Sequence, residues 1–446
     1  MTALAFLDRA RTVAPANYNR WLIPPAALAV HLSIGQVYAF SVFKTPLVEH
    51  FDTALTPIGV IFSIAIVMLG LSAAFGGTWV EKNGPRKAMF VSALFWTSGF
   101  LVGALGVATH QLWLLYLGYG FLGGIGLGIG YISPVSTLMK WFPDRPGLAT
   151  GLAIMGFGGG ALVASPLSTK LLAGYGEIVP TFLTLGALYF VVMMLGAFTV
   201  RVPADGWKPA GWTPDLTKMS AMQTTANVSA ANAIKTPQFW LLWTVLFCNV
   251  TAGIGILEQA SPMIQDFFPG VGPAEAAGYV GLLALCNMAG RVAWSSTSDV
   301  IGRKPTYSVY LGIGVLLYLL VAVAGTWSVG LFVILTGAIL SFYGGGFATV
   351  PAYLKDLYGG LQVGAIHGRL LTAWSAAGIA GPLIVNAVAD SQEAAGRSGA
   401  ALYTRSLYIM IGVLVVGFLA NLAIRPVSEW YVEPADTVRP LVASEG

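Results

Sequence analysis

A chain of 446 residues, 56% of them hydrophobic and 9% charged, with a mean hydropathy of +0.75, has too little polar surface to cover a soluble domain; its solvent is largely lipid. The net charge of +4 does not indicate a nucleic-acid partner, because Lys and Arg fall in short connections between apolar runs and form no basic patch with interleaved aromatics. Cys248 and Cys286 lie inside apolar segments without metal-ligand spacing, and His31, His50, His110 and His367 are scattered, so no disulfide framework, metal, cofactor or enzymatic centre is expected.

Runs of about twenty apolar residues bounded by charge or Pro predict twelve transmembrane helices. They fall at 22–47, 57–80, 87–108, 112–139, 147–173, 178–200, 237–262, 276–298, 305–325, 328–354, 367–389 and 403–424. The first follows Arg9, Arg11 and Arg20 and is too long for a signal-peptide core, so it reads as a retained helix. Between the sixth and seventh, Pro203, Gly206, Pro209, Gly211, Pro214 and a Ser/Thr/Ala/Asn stretch mark a linker. The expected organisation is a tail at 1–20, a six-helix bundle at 21–201, a linker at 202–236, a second bundle at 237–425 and a tail at 426–446.

With the N-terminus in the cytoplasm, an even helix count returns the C-terminus there, and 18 of the 23 Lys and Arg then lie on that side, Lys218 and Arg439 among them. Lys44, Lys170, Arg397 and Arg405 are left outside and Arg291 within a helix. A multi-pass protein of the inner (plasma) membrane with both termini cytoplasmic is expected.

After the second helix of each half the same pattern recurs, Glu81-Lys-Asn-Gly84-Pro-Arg86-Lys87 and Asp299-Val-Ile-Gly302-Arg303-Lys304. An acid at a helix end beside a tight Gly turn and two cations suits a clasp that holds one conformation closed until the halves rock, with Glu81, Gly84, Arg86, Asp299, Gly302 and Arg303 as the gating residues. Tyr131 to Pro134 with Ser165-Pro166, and Ala348 to Pro351 with Gly381-Pro382, form a second correspondence between the halves.

No acidic residue falls in the middle third of a predicted helix, Glu258 coming nearest, yet Arg291 lies well inside the eighth. Its guanidinium stays charged, and its planar fork matches a carboxylate bidentately, so Arg291 is the expected anion site; a structural arginine capped by carbonyls is the alternative. Asn287, one turn earlier, shares its face. On the first helix His31, Gly35 and Tyr38 form one stripe, with Tyr38 a pocket donor and His31 either a hydrogen-bonded helix contact or a proton carrier. Tyr131 on the fourth helix can turn a hydroxyl inward, and Tyr343, Phe347 and Trp374 on the tenth and eleventh either wall the pocket or pack in the core. Gly118-Tyr-Gly120-Phe-Leu-Gly123 matches a dinucleotide fingerprint, but inside a membrane-length run its glycines serve helix packing.

The acid-Gly-basic loops resemble the signature loop of the major facilitator superfamily, which implies an all-α membrane fold of two pseudo-symmetric six-helix bundles. Gly35-Gln-Val-Tyr38, Lys140-Trp-Phe-Pro-Asp144-Arg-Pro-Gly147 through Gly151, and Asn287-Met-Ala-Gly290-Arg291 are similar to stretches of its oxalate/formate antiporter family and the related monocarboxylate transporters. That resemblance implies small carboxylate substrates, with Arg291 as the carboxylate-binding arginine and Tyr38 and Tyr131 as pocket tyrosines. Trp374 stands where the oxalate exchangers carry a lysine, which leaves one cationic site and favours a monoanion. Asn287 and Val42 replace the acid and the lysine of the proton-coupled members, and Lys44 is a weak substitute for the latter. The expectation is a monomeric secondary transporter of formate, lactate, pyruvate or a similar monocarboxylate, taking protons or a counter-transported anion as its second ion; the alternative is oxalate:formate-type exchange.

Overall fold

The computed structural model describes residues 3–433 apart from 16, 54, 214–221 and 225; Pro214, Lys218 and Arg439 thus lie outside the described residues, as does the side chain of Glu258. Among the described residues the chain is helical, with a single pair of bridged residues, Val13 and Val202, tying the N-terminal tail to the start of the linker. Among the described residues, eleven helices are long and apolar enough to cross a membrane. The eighth, Pro273–Ile301, is as long as its neighbours but less apolar, because Asn287, Arg291, Ser295 and Ser298 lie on it; all four are buried inside the protein.

Most helices run as the apolar pattern predicts: Leu55–Asn83 is the second, Pro85–Ala108 the third, Pro146–Tyr175 the fifth, Ile178–Thr199 the sixth, Arg303–Ala324 the ninth, Val329–Tyr358 the tenth and Thr404–Ala423 the twelfth. Pro at the first helical position starts the third, fifth, seventh and eighth, where a missing N–H costs nothing. The seventh extends to Phe267, tolerating Pro262 within it. Gly84 at φ 85° and Gly302 at φ 90° make the two tight turns after the second and eighth helices, a conformation that a side chain disfavours.

Three helices are interrupted where periodicity predicts continuity. The first is Ile23–Ile34, a 3-10 turn at Gly35–Ala39, then Ser41–Phe51. The turn is where it meets the fifth helix: a Cβ on Gly35 would stand 3.0 Å from the Cα of Gly160. The fourth, Leu112–Trp141, contains a π-helical stretch at Tyr116–Leu122 carrying Gly118 and Gly120, which pack on Gly99, Gly103 and Ile64. The eleventh divides at Leu371 into Val363–Leu370 and Thr372–Ala394; the Leu371 N–H is shared between the carbonyls of His367 at 3.0 Å and Gly368 at 3.2 Å.

Within the first half the second helix packs on the fourth, the third on the fourth and sixth, and the first on the fifth and sixth; every one of these pairs recurs six helices later. Two seams join the halves, the fifth helix on the eighth and the second on the eleventh, and they are each other's counterparts under the same shift. Small residues bring the backbones together there. A Cβ on Gly77 would stand 2.8 Å from Ala365 Cα, and one on Gly151 2.7 Å from the Arg291 carbonyl.

Candidate functional site

Arg291 is wholly buried on the eighth helix, beside the seam with the fifth. Its Nε donates to Asn287 Oδ1 at 3.2 Å, one turn back on the same face, and its Nη1 donates to the Ile154 carbonyl of the fifth helix at 3.1 Å. Nη2 has no partner. Among the described residues no carboxylate pairs with this guanidinium; the ion pairs join Arg20 to Asp144, Lys140 to Glu81, and Arg303 to Asp299 and Asp356. A buried cation without a counter-ion costs several kcal/mol, so about this much is available to attract an anion. Gly158 lets the fifth helix approach so closely: a Cβ there would be 2.7 Å from Arg291 Nε.

Aromatic rings enclose the cation. Phe347 lies 5.5 Å and Phe157 6.0 Å from Arg291 Cζ, and Trp374 packs on both, at 4.6 and 5.4 Å between ring centroids. Tyr131 closes the group against Phe157 at 5.4 Å and Trp374 at 5.5 Å, while Tyr343 leans on Phe347 at 5.2 Å. The Tyr38 hydroxyl meets that of Tyr343 at 3.5 Å across the two halves, and its ring stands edge-on to Phe157 at 5.0 Å. The Tyr131 hydroxyl and the Trp374 indole N–H are buried without acceptors. Three buried donors in one cluster, on Arg291, Tyr131 and Trp374, therefore have no protein acceptor, a set that suits the several lone pairs of a carboxylate.

Arg291, Asn287, Tyr38, Tyr131, Tyr343, Phe347 and Trp374, drawn from five different helices, thus come together in one place. His31 stands just outside, stacked on Tyr131 at 5.4 Å; its Nε2 faces the Tyr131 carbonyl at 3.1 Å and its Nδ1 the Ala153 carbonyl. Lys44 is half-buried in Ser41–Phe51, beyond the turn that carries Tyr38. Phe157 and the Ile154 carbonyl were not legible as site groups, although a lone aromatic in the run Gly156 to Gly160 is a signal: Gly158 and Gly159 bring it against the eighth helix, and Gly156 and Gly160 against the first.

The two acid-Gly-basic loops lie at one end of the molecule and differ in what they hold. Asp299 is bound to Arg303 at 2.6 Å and also accepts the N–H groups of Gly147 at 2.9 Å and Leu148 at 3.0 Å, so an acid of the second half caps the fifth helix of the first. Glu81 instead accepts from Ser136 and Lys140, both at 2.6 Å, inside its own half. Glu81 and Arg86 do not pair with each other. Arg86 is buried against the N-terminal tail, its Nη1 donating to the Phe6 carbonyl at 3.0 Å and its Nη2 to the Val200 carbonyl at 3.4 Å, with Phe6 over its guanidinium. Nearby, Arg20 grips Asp144 bidentately at 2.6 and 2.9 Å; burial alone would raise that carboxyl, but the bound guanidinium more than reverses this and holds it below the usual carboxylate range.

Comparison with known proteins follows the same lines. The family model described as the Major Facilitator Superfamily matches residues 26–382. The chain is 28% identical over 375 residues to the oxalate:formate antiporter of Oxalobacter formigenes, covering 84% of this chain and 86% of that protein. It is 23% identical over 377 residues to apicoplast pyruvate carrier 1 of Toxoplasma gondii, with 72% and 68% covered. Among solved structures, the transporter FucP in its outward conformation superposes with a TM-score of 0.66 at 15% identity, over 91% of this chain and 99% of that one.

Proposed function

Because the chain belongs to the Major Facilitator Superfamily and is a membrane transporter rather than an enzyme, we propose that it is a secondary carrier of small organic monocarboxylates, binding the carboxylate on Arg291. One observation carries the proposal: a wholly buried guanidinium keeps Nη2 unpartnered and, among the described residues, pairs with no acid, inside a cluster whose other unserved groups are donors. The carboxylate takes the free arm of the guanidinium and the Tyr131 hydroxyl, and the rings of Phe157, Phe347 and Trp374 exclude water around it. Tyr38 and Tyr343 meet across the halves beside it.

The bundles at 21–201 and 237–425 rock about this site, parting the second–eleventh and fifth–eighth seams in turn. Glu81, Gly84, Arg86, Asp299, Gly302 and Arg303 gate the cytoplasmic end, where the excess of Lys and Arg places both termini. The carrier acts as a monomer in the plasma membrane, with a proton or a counter-transported anion as the second ion.

Purified protein in liposomes tests this. Arg291→Ala, correctly inserted, is expected to lose uptake of formate, lactate and pyruvate, since removing one partner of a buried charge pair costs about 2–5 kcal/mol. Undiminished uptake would overturn the proposal. Exchange of oxalate for formate is the second reading, favoured by the relative that carries that name over 84% of this chain. It is opposed by Trp374, an uncharged donor where a dianion needs a second cation. Counterflow of labelled oxalate against formate decides between them.

A further inference from the structure

The eleventh helix holds a buried titratable group that carboxylate binding leaves unused. His367 is 1% exposed, and neither of its ring nitrogens has a hydrogen-bond partner. A neutral imidazole offers one donor and one acceptor, and a buried polar group with neither served is an exception that requires a reason. His367 stands one turn before the break at Leu371 and seven residues before Trp374, hence on nearly the same face. Its ring lies 5.9 Å from that of Tyr131, the residue whose hydroxyl is itself unpartnered and whose ring packs on Trp374.

Resting on the carboxylate reading of Arg291, we propose that His367 is a proton-binding site coupled to the anion through Tyr131, so that the carrier moves one proton with each monocarboxylate.

The surroundings of His367 are specific. From the fourth helix it meets Tyr131, and from the first His31 is within electrostatic reach. From the second, Glu81 abuts Gly364, one turn before His367, with its charge matched by Lys140. On the tenth, Asp356 is held by Arg303, Lys355 faces the Pro143 carbonyl at 3.5 Å and the Tyr358 hydroxyl meets Thr236 at 2.7 Å, while the Tyr353 hydroxyl is unpartnered. On its own helix Arg369 is two residues on, a rotation that turns it to the other face.

His31 is not equivalent. Its two nitrogens face carbonyls of the fourth and fifth helices, so these polar contacts lie within the first half and persist when the halves part. His367 belongs to the second half, and of the helices packed on its segment the tenth belongs to the same half, whereas the second and fourth belong to the first. Rocking therefore bares His367 to one side of the membrane and then the other, which is what a carried proton requires. The proton comes from water on the loading side, adds to a ring nitrogen and leaves to water on the far side; no bond of the substrate changes. An anion and an imidazolium in one cluster stabilise each other, so each raises the affinity for the other by the same factor. The unloaded and the fully loaded carrier then bear the same charge, and the cycle is electroneutral.

The test uses liposomes containing the full chain, with labelled formate, lactate and pyruvate. Under an inward gradient of one pH unit, one-to-one coupling accumulates the wild-type substrate by about tenfold. His367→Gln is expected to lose this accumulation while retaining measurable counterflow, and purified wild type, unlike the variant, should bind the substrate more tightly at pH 5.5 than at pH 7.5. His367→Asn serves as the second variant if Gln impairs folding. Accumulation that survives both substitutions would overturn the proposal, as would loss of accumulation and counterflow together, which would make His367 an anion ligand, or a wild type indifferent to the gradient. Failure of the carboxylate reading shows separately, as counterflow persisting in Arg291→Ala.

Discussion

At the scale of single residues, the decisive contact is the one that Arg291 does not make. Asn287 satisfies Nε with a neutral oxygen and so leaves the positive charge uncompensated. Asn287→Asp would place a carboxylate at the same 3.2 Å and supply internally what the substrate supplies from outside. The variant is expected to insert and to be at least as heat-stable as wild type. Its substrate affinity should fall by at least roughly tenfold, about 1.4 kcal/mol, measured by calorimetry or thermal shift. Unchanged affinity would mean that the guanidinium is not the anion's partner. Arg291 was legible in the sequence because a charge inside a membrane-length apolar run is rare and expensive. Its supporting groups were less so: the Ile154 acceptor is a backbone carbonyl, which no residue type announces, and nothing local distinguished His367 from the other scattered histidines.

At the scale of helices, the two acid-Gly-basic loops share a pattern but do different work. Asp299 caps the fifth helix across the interface between halves, whereas Glu81 is bound within its own. Asp299→Asn removes a charged cap worth about 0.5–2 kcal/mol and should open this end of the molecule more often. With Cys248 and Cys286 replaced by Ala, Thr150→Cys reports it: Thr150 is wholly buried and donates to the Ala348 carbonyl across the interface at 2.6 Å. A membrane-impermeant maleimide should label it several-fold faster in the Asp299→Asn background; an equal rate would show that the cap does not hold the gate. Arg20 and Asp144 tie the start of the first helix to the loop before the fifth. Since the folded protein holds the Asp144 carboxyl below its ordinary value, this tie stabilises at neutral pH, above the unfolded carboxylate range, and is lost as the pH falls through the depressed folded value. Asp144→Asn should therefore show a shallower loss of melting temperature on acidification than wild type. The repeated motif was visible in the sequence, but the swap of partners was not, because Lys140 reaches Glu81 from 59 residues away.

At the scale of the whole molecule, the apolar runs were enough to locate the helices. They missed the interruptions at Gly35–Ala39, Tyr116–Leu122 and Leu371, since hydropathy is blind to hydrogen-bond register and an unwound turn stays as apolar as a wound one. The repeat between halves was read from two short motifs; its fuller expression is the recurrence of every helix pairing, which depends on contacts rather than on residue types. Glycine at the seams gives this architecture a testable weakness. Gly77→Val puts a branched side chain where a Cβ is already 2.8 Å from Ala365 Cα, an overpacking of about 1–3 kcal/mol, and should slow transport far more than Gly174→Val, where a Cβ meets nothing within 4 Å. Equal effects would mean that the second–eleventh seam does not have to close.

The unpartnered charge also makes the protein a subject of the membrane voltage. Without substrate, Arg291 is a lone positive charge enclosed by a low-dielectric shell, and the cell's electric field acts on it at up to about 2.3 kcal/mol per 100 mV. With the interior negative, the field draws this charge toward the cytoplasm, so the empty carrier should dwell facing inward in an energised cell and distribute more evenly in a depolarised one. An electroneutral turnover would then coexist with a voltage-dependent number of sites offered to the outside, and the maximal rate of uptake, rather than the gradient finally reached, would report the state of the membrane.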